Sequence, residues 1–123
     1  MTIRELPGLS VSIDEVTHAP DLESPPDKPF RFIYSITIRN DSRETVTIRG
    51  RKWVVREENG ETTAVEGDGV VGEFPRLEPG ETFSYNSTHI VASAAVAEGA
   101  YFGTTEDGEA VFTRIPAFRL ALP

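Results

Sequence analysis

The chain has 123 residues, the size of one domain with a single buried core. It has no cysteine, which excludes a disulfide framework, a thiolate zinc site and a cysteine nucleophile, and which fits a reducing compartment. A net charge of −8 argues against bulk nucleic-acid binding; with no apolar leader in "MTIRELPGLS" and no run of about 18 apolar residues, the expectation is a cytoplasmic protein without membrane contact.

Residues 1–8 read as an N-terminal extension and 9–123 as the domain. "LSVSIDEVTH" opens it with Leu9, Val11 and Ile13 in alternation, the period of a half-buried strand. "APDLESPPDKP" carries four prolines in eleven residues and must be an irregular loop. In "FRFIYSITIRN", Phe30, Phe32, Tyr34, Ile36 and Ile38 share one face, opposite Arg31, Ser35, Thr37 and Arg39. After the turn "DSRE", "TVTIRGRKWVVREE" reads as a strand whose apolar phase changes: Val46 and Ile48 are in step, whereas Trp53 and Val55 have the opposite parity. One extra residue near Gly50 has this effect, so a bulge is predicted there.

Asn59-Gly60 signals a turn, with a strand following over about 62–66. "EFPRLEPGET" is turn-rich, "TFSYNSTHIV" alternates again, and "EGAYFGTTEDGEAVFTRIP" reads as a hairpin around Asp107-Gly108. "AFRLAL" places Phe118, Leu120 and Leu122 in step. The alanine-rich "VASAAVAEGA" alone has room for a helical turn, opposed by Gly99 and the β-branched valines. Seven to eight short strands with turn signals every 8–12 residues predict an all-β, antiparallel β-sandwich of the immunoglobulin or fibronectin type III kind, with a closed barrel as the alternative. The expected core holds Phe32, Tyr34, Ile36, Ile38, Trp53, Phe83 and Tyr85.

"GDGVVG", residues 67–72, has the G-x-G-x-x-G spelling of a dinucleotide loop. That motif works by leading into a helix whose N-terminus meets the pyrophosphate. Here Pro75 and Pro79 follow at once, and an interior proline costs a helix about 3 kcal/mol, so the dinucleotide-fold reading fails. A weaker reading keeps Gly67, Gly69 and Gly72 as a candidate anion loop built from backbone N–H groups. Glu66, Asp68 and Glu73 give that loop the wrong charge, and Arg51, Lys52 or Arg76 would have to compensate. The favoured reading is structural: positive φ and close backbone approach.

Residues 28–56 hold eight basic groups against two acidic ones, a segment of +6 beside a remainder of −14. Arg49, Arg51 and Arg56 are its candidate partner-binding residues, although charge alternating with apolar residues also describes the wet side of a sheet. His18 and His89 lie far apart without a third ligand, so each reads as a surface or strand-end residue, no metal site is expected and no cofactor is assigned. No nucleophile elbow or other catalytic set occurs, and the chain is read as a non-enzyme.

Four segments in this order carry a family resemblance. "FIYSITIRN", "RKWVV", "GDGVVGEFPRLEPGETFSYNS" and "IPAFRLALP" resemble the signatures of the ApaG family from about Val11 to Pro123. The chain departs from it where Ala95 and Ala97 stand in place of the family's glycine and methionine. The resemblance implies a fibronectin type III-like sandwich and, through family members linked genetically to cobalt resistance and magnesium efflux, a tie to divalent-cation homeostasis. Without metal ligands in the sequence, that tie would run indirectly, through a partner or a nucleotide. In eukaryotes the same domain is built into an F-box substrate adaptor and a polymerase-delta-interacting protein, which implies a protein-binding module. The expected function is therefore a non-catalytic binding domain with a protein partner, with homodimerisation through an edge strand also open. The alternative is phosphate, pyrophosphate or dinucleotide binding, or Mg-dependent hydrolysis, at the GDGVVG loop.

Overall fold

The computed structural model describes residues 2–20 and 23–122. Asp21 and Leu22 of the proline-rich loop, and the terminal Met1 and Pro123, lie outside the described residues. Nine strands follow in order: β1 (Ile3–Glu5), β2 (Leu9–His18), β3 (Phe30–Asn40), β4 (Val46–Glu57), β5 (Thr62–Asp68), β6 (Arg76–Leu77), β7 (Thr82–Val91), β8 (Ala95–Thr105) and β9 (Ala110–Leu120). No helix occurs among the described residues, so none is long and apolar enough to cross a membrane. The stretch with room for a helical turn is instead the start of β8.

The strands form two layers, as expected of a sandwich and not of a closed barrel. The larger sheet runs β1-β9-β8-β4-β5, with β6 also pairing to β4, and the smaller runs β2-β3-β7. The count exceeds the predicted seven to eight because of β1 and the two-residue β6. One pairing departs from the antiparallel expectation: β1 lies parallel to β9, with Ile3 opposite Ala110. Residues 1–8, set apart as an extension, thus contribute a strand, and Leu6 beyond it is buried in the core.

Alternation accounts for the core. Phe32, Tyr34, Ile36 and Ile38 of β3 are all buried, as is Trp53 of β4. Phe83 and Tyr85 are partly buried and pack against this cluster from β7. The predicted bulge is present: the β4–β8 register shifts between Ile48 and Gly50, leaving Arg49 as the extra residue. Beyond it Trp53 and Val55, of opposite parity to Ile48, lie on the same inner face as Ile48. Two other irregularities leave the same mark in the sequence, an apolar parity change from Ile13 to Val16 and from Ile115 to Phe118. One lies in β2 between Ile13 and Glu15; the other faces Pro116 and Ala117 of β9, where proline cannot donate to the ladder.

Two buried polar side chains of the core are fully paired. Asn40 is fully buried, and its Nδ2 donates to the carbonyls of Glu44 and Leu77, both at 2.8 Å. Its Oδ1 accepts from the amide and hydroxyl of Ser42, which closes the β3–β4 turn. Thr113 Oγ1 donates to the Leu9 carbonyl at 2.8 Å, a buried tie from β9 to β2 across the two sheets.

Candidate functional site

Beyond β5 the chain closes a tight loop. Val70 and Glu73 exchange backbone hydrogen bonds at 2.8 and 2.9 Å around Val71 and Gly72, whose φ values are 44° and 81°. Positive φ at both central residues defines a type I′ turn. A β-branched valine there is a true backbone outlier, a conformation costing about 1–3 kcal/mol. Its neighbour anchors the loop: the Val70 side chain is fully buried. Gly69 has φ 64°, and a β-carbon on it would stand 2.4 Å from the Glu73 carbonyl oxygen.

Gly69 and Gly72 therefore have the positive φ expected of them and Gly67, still in the β5 ladder, does not; several loop amides are already engaged. Gly69 N–H donates to the Arg49 carbonyl, Val70 N–H to Glu73 and Glu73 N–H to Val70. Two of the three cations named as compensation are engaged in ion pairs too. Lys52 lies 3.8 Å from Glu66, and Arg76 pairs with Glu106 at 2.8 Å and Glu78 at 3.5 Å.

Arg49, Arg51 and Arg56 do not share a face. Arg49 is the bulge residue and donates to Thr104 Oγ1 on the outer surface of the larger sheet; Arg56 pairs with Glu98 on the same surface. Arg51 comes after the bulge, in phase with Trp53, and so points inward. The wider +6 segment is divided as well. β3 and β4 belong to different sheets, so the outward Arg31 and Arg39 face the opposite side of the sandwich from Arg49 and Arg56. The single basic face expected from charge and alternation is absent, because a chain crossing between layers reverses which side its polar residues face.

Arg51 instead joins the glycine loop to a cavity. Its Nη1 donates to the carbonyls of Asp68 at 2.8 Å and Gly69 at 3.2 Å. On its other side the two layers fail to close. β5 and β7 are edge strands on the same side of the sandwich, and between them lies an opening of about 430 Å³. Val65 faces inward by register, opposite Trp53, yet remains 46% exposed. Tyr34, Trp53 and His89 form the floor, with the Tyr34 and His89 rings stacked at 4.7 Å and 25° and Trp53 edge-on to His89 at 4.7 Å.

The electrostatics differ at the two ends. At one end Glu57, almost fully buried, accepts from the amides of Ala92 at 2.8 Å and Ser93 at 2.9 Å, and Lys28 lies 3.6 Å from its second oxygen. That carboxylate has a structural task, holding the β7–β8 connection. At the other end Arg51 forms no ion pair among the described residues. Burial pushes His89 down to about 4, so its imidazole is neutral near pH 7, and Nε2 is buried without a hydrogen-bond partner among the described residues. Burial likewise raises the phenols of Tyr34, Tyr85 and Tyr101, a row ending in a hydrogen bond between the last two.

Sequence reasoning passed over Glu57 and Val65, and His89, read as a surface or strand-end residue, instead packs inward on the cavity floor. The signal for His89 was present: it continues the inward parity of Phe83 and Tyr85. Glu57 likewise continues that of Trp53 and Val55. No group of three or more His, Cys, Asp or Glu that could hold a metal ion occurs among the described residues.

A family model described as the ApaG domain matches residues 20–104. The chain is 42% identical over 100 residues to Protein ApaG of Pectobacterium carotovorum, covering 80% of each. It is 36% identical over 119 residues to Protein ApaG of Vibrio cholerae, covering 96% of this chain and 94% of that one. A crystal structure of a Bordetella pertussis protein described as ApaA superposes with a TM-score of 0.85 at 29% identity, covering 97% of both chains. The glycine loop lies within the matched segment, and so do β3, β4 and the cavity between the layers: the chain belongs to the ApaG family.

Proposed function

We propose that the domain is a non-catalytic binding module that engages a protein partner through the tip of the glycine loop. One observation carries this reading: Val71 and Phe74 are 48% and 53% exposed on a loop whose backbone is held by reciprocal hydrogen bonds and a buried anchor, Val70. Two large apolar side chains presented on a stiff turn lose little conformational entropy on docking, the condition under which a small patch contributes most to affinity. Glu66, Asp68 and Glu73 flank the tip in sequence and are exposed, so the matching surface is an apolar pocket with a cationic rim. Any link to divalent cations would pass through that partner.

The test compares three forms of the protein at equal thermal stability: wild type, V71S/F74S and R49E/R56E. Proteins captured from a native lysate are then purified and titrated against each form. The reading requires a partner that binds wild type and R49E/R56E alike and loses at least about tenfold in affinity with V71S/F74S. Equal binding by V71S/F74S overturns it. Saturable amide shifts over 67–72 with pyrophosphate, with or without Mg²⁺, would replace it by the phosphate reading.

A further inference from the structure

The opening between β5 and β7 is a second feature, independent of the loop tip. In a sandwich the inner faces are expected to interdigitate to interior density. Here the inner face of β5 is left uncovered at Val65 while the floor beneath, Tyr34 and Trp53, is at 3% exposure. The space is mainly apolar, about 430 Å³, within the range of small-molecule sites.

Its one uncommitted charge is positive. Arg51 points into the space from the inner face of β4, half-buried, and among the described residues only its Nη1 is engaged, by carbonyl oxygens. A guanidinium partly removed from water and facing only carbonyl dipoles is stabilised by a carboxylate, which it can receive in a paired geometry through Nε and Nη2. The opposite end offers no competing cation: Lys28 is engaged by Glu57 and Glu61. The neutral His89 on the floor adds polarity without charge.

We propose that this inter-sheet cavity binds a small amphipathic carboxylate, its head group on Arg51 and its apolar body between Val65 and the Tyr34–Trp53 floor. Trp53 is the chain's sole tryptophan and lines the site, so its emission reports occupancy directly. The probes are 4-phenylbutyrate and octanoate, with 4-phenylbutanol and octanol as their neutral counterparts. The expected result is a saturable emission change with the acids at millimolar concentration or below. Binding should be at least about tenfold weaker for the alcohols, and for the acids with R51Q, as loss of a charge-assisted pair implies. R49Q, altered on the outer face, should bind as wild type does, and V65F, which fills the mouth and keeps Arg51, should not bind.

Three results overturn the proposal: no saturation with either acid, equal affinity for acid and alcohol, or wild-type affinity in V65F. Should R51Q fail to fold, the acid–alcohol comparison and V65F decide the matter alone. Amide shifts mapped over 63–65 and 87–89 place the ligand, and shifts confined to 67–73 count against the cavity.

Discussion

The guanidinium of Arg51 lies directly over the backbone of Gly67. A β-carbon added at Gly67 would stand 2.8 Å from both Nη1 and Nη2 and 2.9 Å from Cζ. The first glycine of the loop is thus a seat for a side chain of the neighbouring strand, and the seat steers that side chain to the Asp68 and Gly69 carbonyls.

The three glycines should consequently respond differently to alanine. Gly67→Ala collides only with the far end of a flexible side chain, so Arg51 shifts aside at a cost of about 1 kcal/mol, the worth of the hydrogen bonds disturbed. Gly69→Ala meets a backbone carbonyl at 2.4 Å in a positive-φ position, and should cost more, about 2–4 kcal/mol. Gly72→Ala has open space and only the φ penalty, about 1–2 kcal/mol. Urea denaturation of the three variants gives the order directly, and Gly67→Ala destabilising more than Gly69→Ala would refute this account of the loop.

Trp53 packs against Tyr34 at 5.2 Å, His89 at 4.7 Å and Phe118 at 5.9 Å, joining both layers in one aromatic cluster. Trp53→Ala should cost about 3–5 kcal/mol, since these rigid rings cannot collapse into the space left behind. Native emission should be blue-shifted and move to the red on unfolding. An emission maximum of full exposure in the folded protein would contradict the burial.

Much of this arrangement was legible in the residues. Alternation places β3 and most of the core, and the parity change between Ile48 and Trp53 marks the bulge in the sequence itself. The same parity, carried two residues back from Trp53, places Arg51 inward with it; grouping Arg51 with Arg49 and Arg56 by charge alone hid that. The cavity was not legible, because it depends on how far apart the layers stand at one edge, and no local pattern encodes that distance. Nor was β1: three residues paired in parallel to a strand more than a hundred positions away leave no periodicity to read.

Leu6 tests the contribution of that first segment. It is 3% exposed, and its N–H donates to the Phe112 carbonyl at 3.1 Å, just beyond the parallel pairing of β1 with β9. Leu6→Ala should destabilise by about 2–5 kcal/mol, as a core leucine does, whereas an extension lying outside the core would give less than about 0.5 kcal/mol. Thermal unfolding of the single variant distinguishes the two.

His89 gives the fold a pH dependence of definite sign. Its folded value, pushed down to about 4 by burial, lies below the ordinary value of 6.5, so between those limits the unfolded chain binds the extra proton. Stability from the neutral imidazole is complete above about pH 6.5 and is lost as the pH falls towards 4, up to about 3 kcal/mol in all. Asp14 and Glu109 are both lowered, by hydrogen bonds from Thr37 and Arg4 respectively, and their contributions are lost only at lower pH, beneath the ordinary carboxylate range. The window from 4.5 to 6.5 therefore isolates the histidine among these shifted groups. His89→Phe keeps an aromatic ring against Tyr34 and Trp53 but has no proton to gain. The difference in unfolding free energy between wild type and this variant should change by about 2–3 kcal/mol across the window, moving against wild type as the solution is acidified. A difference that stays constant with pH would mean that His89 takes up its proton as readily in the folded state as in the unfolded one, and that the floor of the cavity is wet.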